Sequence, residues 1–141
     1  MPIIDAATLG DDYEDKIAPE GEYELRIQKA DYGKTAAKDG KVQRDMITVM
    51  LKVDGADGDG VAPFNEYLVL PNSDEQPKTR RLFMQRLTRF LTIFRVPTKD
   101  GFDPEEAPSI LPGLTAKAPL VQEEGNDGVL RNRLKLPRVG R

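Results

Sequence analysis

Apolar and polar residues alternate with a period of two in several stretches of the chain and recur at helical spacing in one. Between Gly21 and Ala30, Tyr23, Leu25 and Ile27 alternate with Glu22, Glu24, Arg26 and Gln28, the pattern of a strand with one buried face. From Val42 to Val53, Ile47, Val49, Leu51 and Val53 form one face, and Arg44, Met46, Thr48, Met50 and Lys52 form the other. A third strand is predicted over Val61 to Leu70, with Phe64, Tyr67, Leu68 and Val69, and Pro63 near its start, where a missing N–H matters least. The period then changes. Over Lys78 to Phe94, Leu82, Phe83, Leu87, Phe90, Leu91 and Phe94 recur every three or four residues and predict an amphipathic helix, which Pro97 stops. Period two returns in Leu114 to Val121 and in Val129 to Leu136.

The segments between these elements are rich in turn formers. Residues 31–41 hold two glycines and three lysines and read as a loop. Asp54 to Gly60 alternates aspartate with glycine, and Glu123 to Gly128 precedes the last strand. Ser73 or Asp74 is placed to cap the helix, and residues 98–112 form a Pro-rich connection. The order is strand, strand, strand, helix, strand, strand. That order predicts a mainly β fold, a five-stranded OB-type β-barrel with one α-helix between strands three and four. A meander sheet packed on one helix is the alternative. The chain divides into an acidic leader (1–19), an OB-type domain (20–137) and a short basic end (138–141).

Composition narrows the chemistry. There is no cysteine and no histidine among the 141 residues, so disulfides, thiol chemistry and imidazole general bases are absent from the chain. No nucleophile–base pair, glycine-rich phosphate loop or metal cluster is visible, so the chain reads as non-enzymatic and without a cofactor. Paired carboxylates holding magnesium in a nuclease would need a strand context that none here has. The Asp54–Gly60 cluster superficially resembles a calcium loop. However, a loop begun at Asp57 puts Leu68 where the bidentate acid belongs, and an acidic hairpin turn is the simpler reading. No secretory signal and no membrane-length apolar run is present, and a cytoplasmic protein is expected.

Charge is segregated. Residues 1–24 carry eight acids and one base, Lys16, a net −7, so the remainder carries +4 within an overall −3. Residues 76–95 and 131–141 hold cations and no acid. An anionic partner responds to such local fields rather than to the net charge. Single-stranded nucleic acid requires cations along a phosphate track and flat side chains on which bases stack. The candidate contacts are Tyr32, Lys34, Lys41, Arg44, Phe64, Tyr67, Arg131, Arg133 and Lys135. They lie in the first long loop, in strands two and three, and in strand five, where OB-type barrels bind ligands. For Phe64 and Tyr67 burial in the core competes with this role. Tyr32, in a lysine-rich segment, is the ring most expected to stack. Helix residues Arg80, Arg81, Arg86 and Arg89 either track phosphates or form a solvated face. The leader is either a solubilising tail, a phosphate mimic that competes for the nucleic-acid groove, or a docking tag for partner proteins.

Ala18 to Ile27, the run Phe64-Asn65-Glu66-Tyr67-Leu68-Val69-Leu70 followed by a helix with Leu87-Thr88-Arg89-Phe90-Leu91, and Arg131-Asn132-Arg133-Leu134 resemble phage-encoded OB-fold single-stranded DNA-binding proteins. The resemblance spans most of residues 18–136. It implies sequence-tolerant binding and protection of single-stranded DNA during phage DNA replication or recombination, in the host cytoplasm. Many members end in an acidic tail that recruits replication proteins, whereas this chain ends basic and carries its acid at the front. Any contact with phage or host replication proteins is therefore expected through the leader. A protein-interaction adaptor that does not touch nucleic acid is the competing function.

Overall fold

A computed structural model of the chain describes residues 17–35 and 42–136. Its strands are β1 (Gly21–Lys34), β2 (Asp45–Val53), β3 (Phe64–Val69), β4 (Thr115–Glu124) and β5 (Leu130–Leu134). The helices are α1 (Pro77–Ile93), between β3 and β4, and the single turn α2 (Ala107–Ile110), with short 3₁₀ turns at Ala56–Gly58 and Pro104–Glu106. The strands form one five-stranded antiparallel sheet in the order β3-β2-β1-β4-β5.

The alternation read from the sequence sets the two faces. Leu25 and Ile27 of β1, the four apolar residues Ile47 to Val53 of β2, Leu68 of β3 and Leu120 of β4 are buried together. The inner face of α1 (Leu87, Phe90, Leu91, with Phe94 at its end) covers this core, and the Phe90 and Phe94 rings lie 4.8 Å apart. The 3₁₀ turn after β2 is packed as tightly: a Cβ on Gly58 would stand 1.9 Å from the Val53 carbonyl oxygen. Only glycine fits there.

Several boundaries depart from the sequence reading. β1 continues past Ala30 to Lys34, because residues 31–34 pair with 45–48 of β2, so Tyr32 and Lys34 are strand residues. Glu123 and Glu124 extend β4 rather than starting the turn. The helix begins at Pro77 with Gln76 at the cap and no side-chain cap bond, so Ser73 and Asp74 do not cap it. Leu82, expected in the buried stripe, is 58% exposed. At 100° per residue it lies about 140° around the helix from Leu87. α1 ends in a Schellman pattern, with Arg95 N–H bonded to Thr92 O and Val96 N–H to Leu91 O. Arg95 takes the left-handed position (φ 57°) that glycine usually fills.

Two polar clasps join the ends of the sheet. Ala18, read as leader, is buried against β5: its N–H donates to Asn132 Oδ1 (2.7 Å), and its carbonyl accepts from Asn132 Nδ2 (2.9 Å) and Gln122 Nε2 (3.0 Å). The two edge strands, β3 and β5, also approach each other, and no backbone ladder connects them. Glu66 of β3 bridges them instead.

Candidate nucleic-acid interface

The β3–β5 seam is built around one carboxylate. Phe64, Glu66 and Leu68 alternate inward on β3, so Glu66 occupies an apolar register and is 1% exposed. A buried carboxylate is costly unless it is paired and hydrogen-bonded. Glu66 Oε2 accepts from Arg133 Nε (2.7 Å), and Oε1 accepts from Leu134 N–H (3.2 Å) and, at the limit, Arg86 Nη2 (3.5 Å). Both oxygens act as acceptors, which is the arrangement of the ionised group. Burial pushes the Glu66 carboxyl above its ordinary range, and Arg133 and Arg86 pull against it. For Arg133, burial pulls the guanidinium down, and Glu66, helped by Glu123 and Tyr67, more than compensates, so it lies above the usual arginine value.

Outside this seam lies a cleft of about 680 Å³, lined by β3, β5 and the β4–β5 turn. Its walls include Phe64, Asn65, Tyr67, Val129, Leu130, Arg131 and Arg133. Tyr67 points away from the core and is 46% exposed, whereas Phe64 is 7% exposed and packs in the core. Arg131 donates to both oxygens of Asp127 (3.1 and 2.7 Å). This pairing, with the Val129 N–H, holds the Asp127 carboxyl down at about 2. Arg133 also reaches Glu123 (3.3 Å). A guanidinium has five N–H donors. Arg131 gives two to Asp127, and Arg133 gives one each to Glu66 and Glu123, so each keeps donors for a further anion.

The other sequence candidates lie elsewhere. Arg44 is clamped by Glu75, whose hydrogen bonds raise it, and its guanidinium sits 5.2 Å from the centre of the Phe83 ring. It fastens β2 to the start of α1. Tyr32 is half-buried; its hydroxyl donates to Asp45 (2.8 Å), which raises the phenol. Lys34 also bonds Asp45 (2.7 Å), and Lys34 first, then Tyr32, holds that carboxyl low. Lys135 is exposed at the end of β5 and makes no ion pair among the described residues. Lys41 lies outside the described residues. The structure thus gathers Phe64, Tyr67, Arg131 and Arg133 at one cleft and places Tyr32, Lys34 and Arg44 in local pairs away from it.

Glu66, Asp127 and Asn132 were not singled out from the sequence. For two of them a signal existed: Glu66 and Asn132 each fall on the apolar register of an alternating strand, and a polar group there needs a buried partner. The Asp54–Gly60 cluster forms the 3₁₀ turn, with Asp54 paired to Arg26 (3.3 Å). Among the described residues no helix is long and apolar enough to cross a membrane.

Fold and site together define a mainly β domain whose antiparallel sheet carries an aromatic and arginine cleft at the meeting of its edges. No protein-family model matches the chain, and no curated protein matches it.

Proposed function

We propose that this chain is an OB-type barrel that binds single-stranded DNA without sequence preference, in the phage replication or recombination setting that the sequence resemblance implies. The strand order supports the OB reading: five antiparallel strands in the order β3-β2-β1-β4-β5, with the edge strands β3 and β5 near each other and α1 between strands three and four, match the arrangement that a partly open OB-type barrel requires. OB-type barrels take oligonucleotides on the strand 2–3 face and on the loop between strands four and five. The cleft uses β3 and that loop.

The observation that carries the reading is the exposed Tyr67 ring in the same cleft as Arg131 and Arg133. A base stacks on the ring, and the spare guanidinium donors take the phosphates on either side. Because Arg131 and Arg133 are already paired with acids, stacking supplies much of the affinity, and the salt dependence is shallower than the six candidate cations would give if all were free.

The test is a fluorescence anisotropy titration of a short labelled oligonucleotide at two salt concentrations, with single- and double-stranded competitors, for the wild type and Tyr67→Ala. The expected result is binding that single strands compete away and that Tyr67→Ala weakens. Absence of binding at low salt, or a Tyr67→Ala protein that binds as tightly as wild type, would overturn the reading.

A further inference from the structure

The outward face of α1 is not used by the cleft or by the core. The helix carries Lys78, Arg80, Arg81, Arg86 and Arg89 and no acidic residue. Arg86 turns inward to Glu66, and Arg80 donates to the carbonyls of Asn72 and Ser73. Lys78, Arg81 and Arg89 pair with no carboxylate among the described residues. Leu82 lies on this outward face, and Met84 on its margin is 44% exposed. A shallow depression of about 300 Å³ runs between Arg81, Met84, Gln85, Thr88 and Arg89.

Two features together select the occupant. Three cations without a carboxylate partner among the described residues, within about three turns, attract an anion. Leu82 and Met84 are aliphatic, so a phosphate chain would satisfy the cations and leave these side chains in water. An acidic segment with apolar residues of its own satisfies both. Residues 1–16 have this composition: Asp5, Asp11, Asp12, Glu14 and Asp15 are interspersed with Ile3, Ile4, Leu9 and Tyr13. The segment joins the described chain at Ile17, beside the anchored Ala18. Sixteen extended residues reach at most about 55 Å. A domain of this size has a radius of gyration of roughly 14 Å, so the helix is within reach. Tethering also places the segment at an effective concentration near the millimolar range.

We infer that the outward face of α1 is the docking surface for the chain's own residues 1–16, held by Lys78, Arg81 and Arg89 around Leu82.

The absence of cysteine makes the test direct, because Thr88→Cys gives a single attachment point on the exposed face of α1. A nitroxide is attached there in the full-length, ¹⁵N-labelled chain without DNA. The expected result is loss of the amide signals of residues 5–15. The signals return in high salt and in the Arg81→Glu/Arg89→Glu double variant, while the signals of the sheet stay in place. Leader signals that keep full intensity at low salt would overturn the proposal. So would broadening that survives both high salt and the double variant. A mixture of nitroxide-bearing unlabelled chains with ¹⁵N chains lacking the nitroxide separates the sources. Broadening of equal strength in that mixture assigns the surface to a second copy and overturns docking within one chain. Because no nucleic acid is present, the outcome is independent of the proposed DNA binding.

Discussion

The cations of the sheet and those of the outward face of α1 look alike in the sequence and differ in the fold. On the sheet, Arg26, Lys29, Lys34, Lys117, Arg131 and Arg133 each have a carboxylate within 4 Å. On the helix, Lys78, Arg81 and Arg89 have none among the described residues, although they sit in an equally acid-free run. The difference follows from geometry. A strand can place an acid of a neighbouring strand directly across from its cation, as Asp45 of β2 lies opposite Lys34 of β1 and pairs with it. An outward helical face has no neighbour to supply them. A run of like charges therefore says little about free charge until the partners are known. In this chain the sheet cations mainly fix local structure, whereas the described fold leaves the helix cations for an anionic partner from outside it.

The largest expected difference between the two regions is in stability. Glu66→Ala removes the counter-charge of Arg133 and the acceptor of Leu134 N–H, and should cost about 3 kcal/mol in urea unfolding. Glu66→Gln should lie between this variant and wild type, because its amide oxygen can still accept from Leu134. A loss from Glu66→Ala below about 0.5 kcal/mol would mean that the seam is held by other contacts.

Next in size, Tyr67→Ala should weaken oligonucleotide binding by about 2 kcal/mol, roughly 30-fold. Its effect on urea unfolding should be small, because the ring is half exposed.

A third expectation concerns acid. Asp127 should titrate at about 2 by carboxyl NMR and return toward 3.8 in Arg131→Ala. Because its folded value lies below the unfolded one, its contribution to stability is complete above the ordinary aspartate range and disappears as pH falls toward 2. Asp45, Asp54 and Glu75, also held low, act in the same direction. Glu66 acts in the opposite direction: its folded value is raised, so its contribution is full below about 4.5 and declines as pH rises past that value. Glu66→Gln should remove this opposing part of the pH profile.

Smallest of all, Arg81→Ala and Arg89→Ala should each change stability by no more than about 0.5 kcal/mol, as surface changes without partners do. A larger loss would mean that these side chains are paired within the described fold itself, which would erase the contrast with the sheet.

Much of the architecture was legible because it rests on short-range pattern. Period two located the strands, and three- and four-residue spacing located α1, since each element must turn its apolar side to a common core. What sequence reading missed depends on partners distant along the chain. Tyr32 looked like a loop ring because Gly33 and nearby lysines suggest mobility, yet pairing with β2 extends the strand through it. Arg133 looked free because no acid is adjacent, and its main partner, Glu66, is 67 residues away. Arg44 looked like a ligand contact, and its partner Glu75 is 31 residues away. Leu82 matched the helical stripe by spacing alone and failed it by angle. Of the candidate site, the residues on β3 and β5 were nameable from the sequence, and the cleft that joins them was not, because it exists only where two edge strands meet.

The clasp between Ala18 and Asn132 spans 114 residues of chain. A contact of that separation closes a very long loop, so it should form after the hairpins have largely assembled. Its loss therefore acts on the lifetime of the native state: Asn132→Ala should hasten unfolding while leaving the rate of folding nearly unchanged. On that expectation, a few hydrogen bonds at the base of the leader would act as a kinetic bolt.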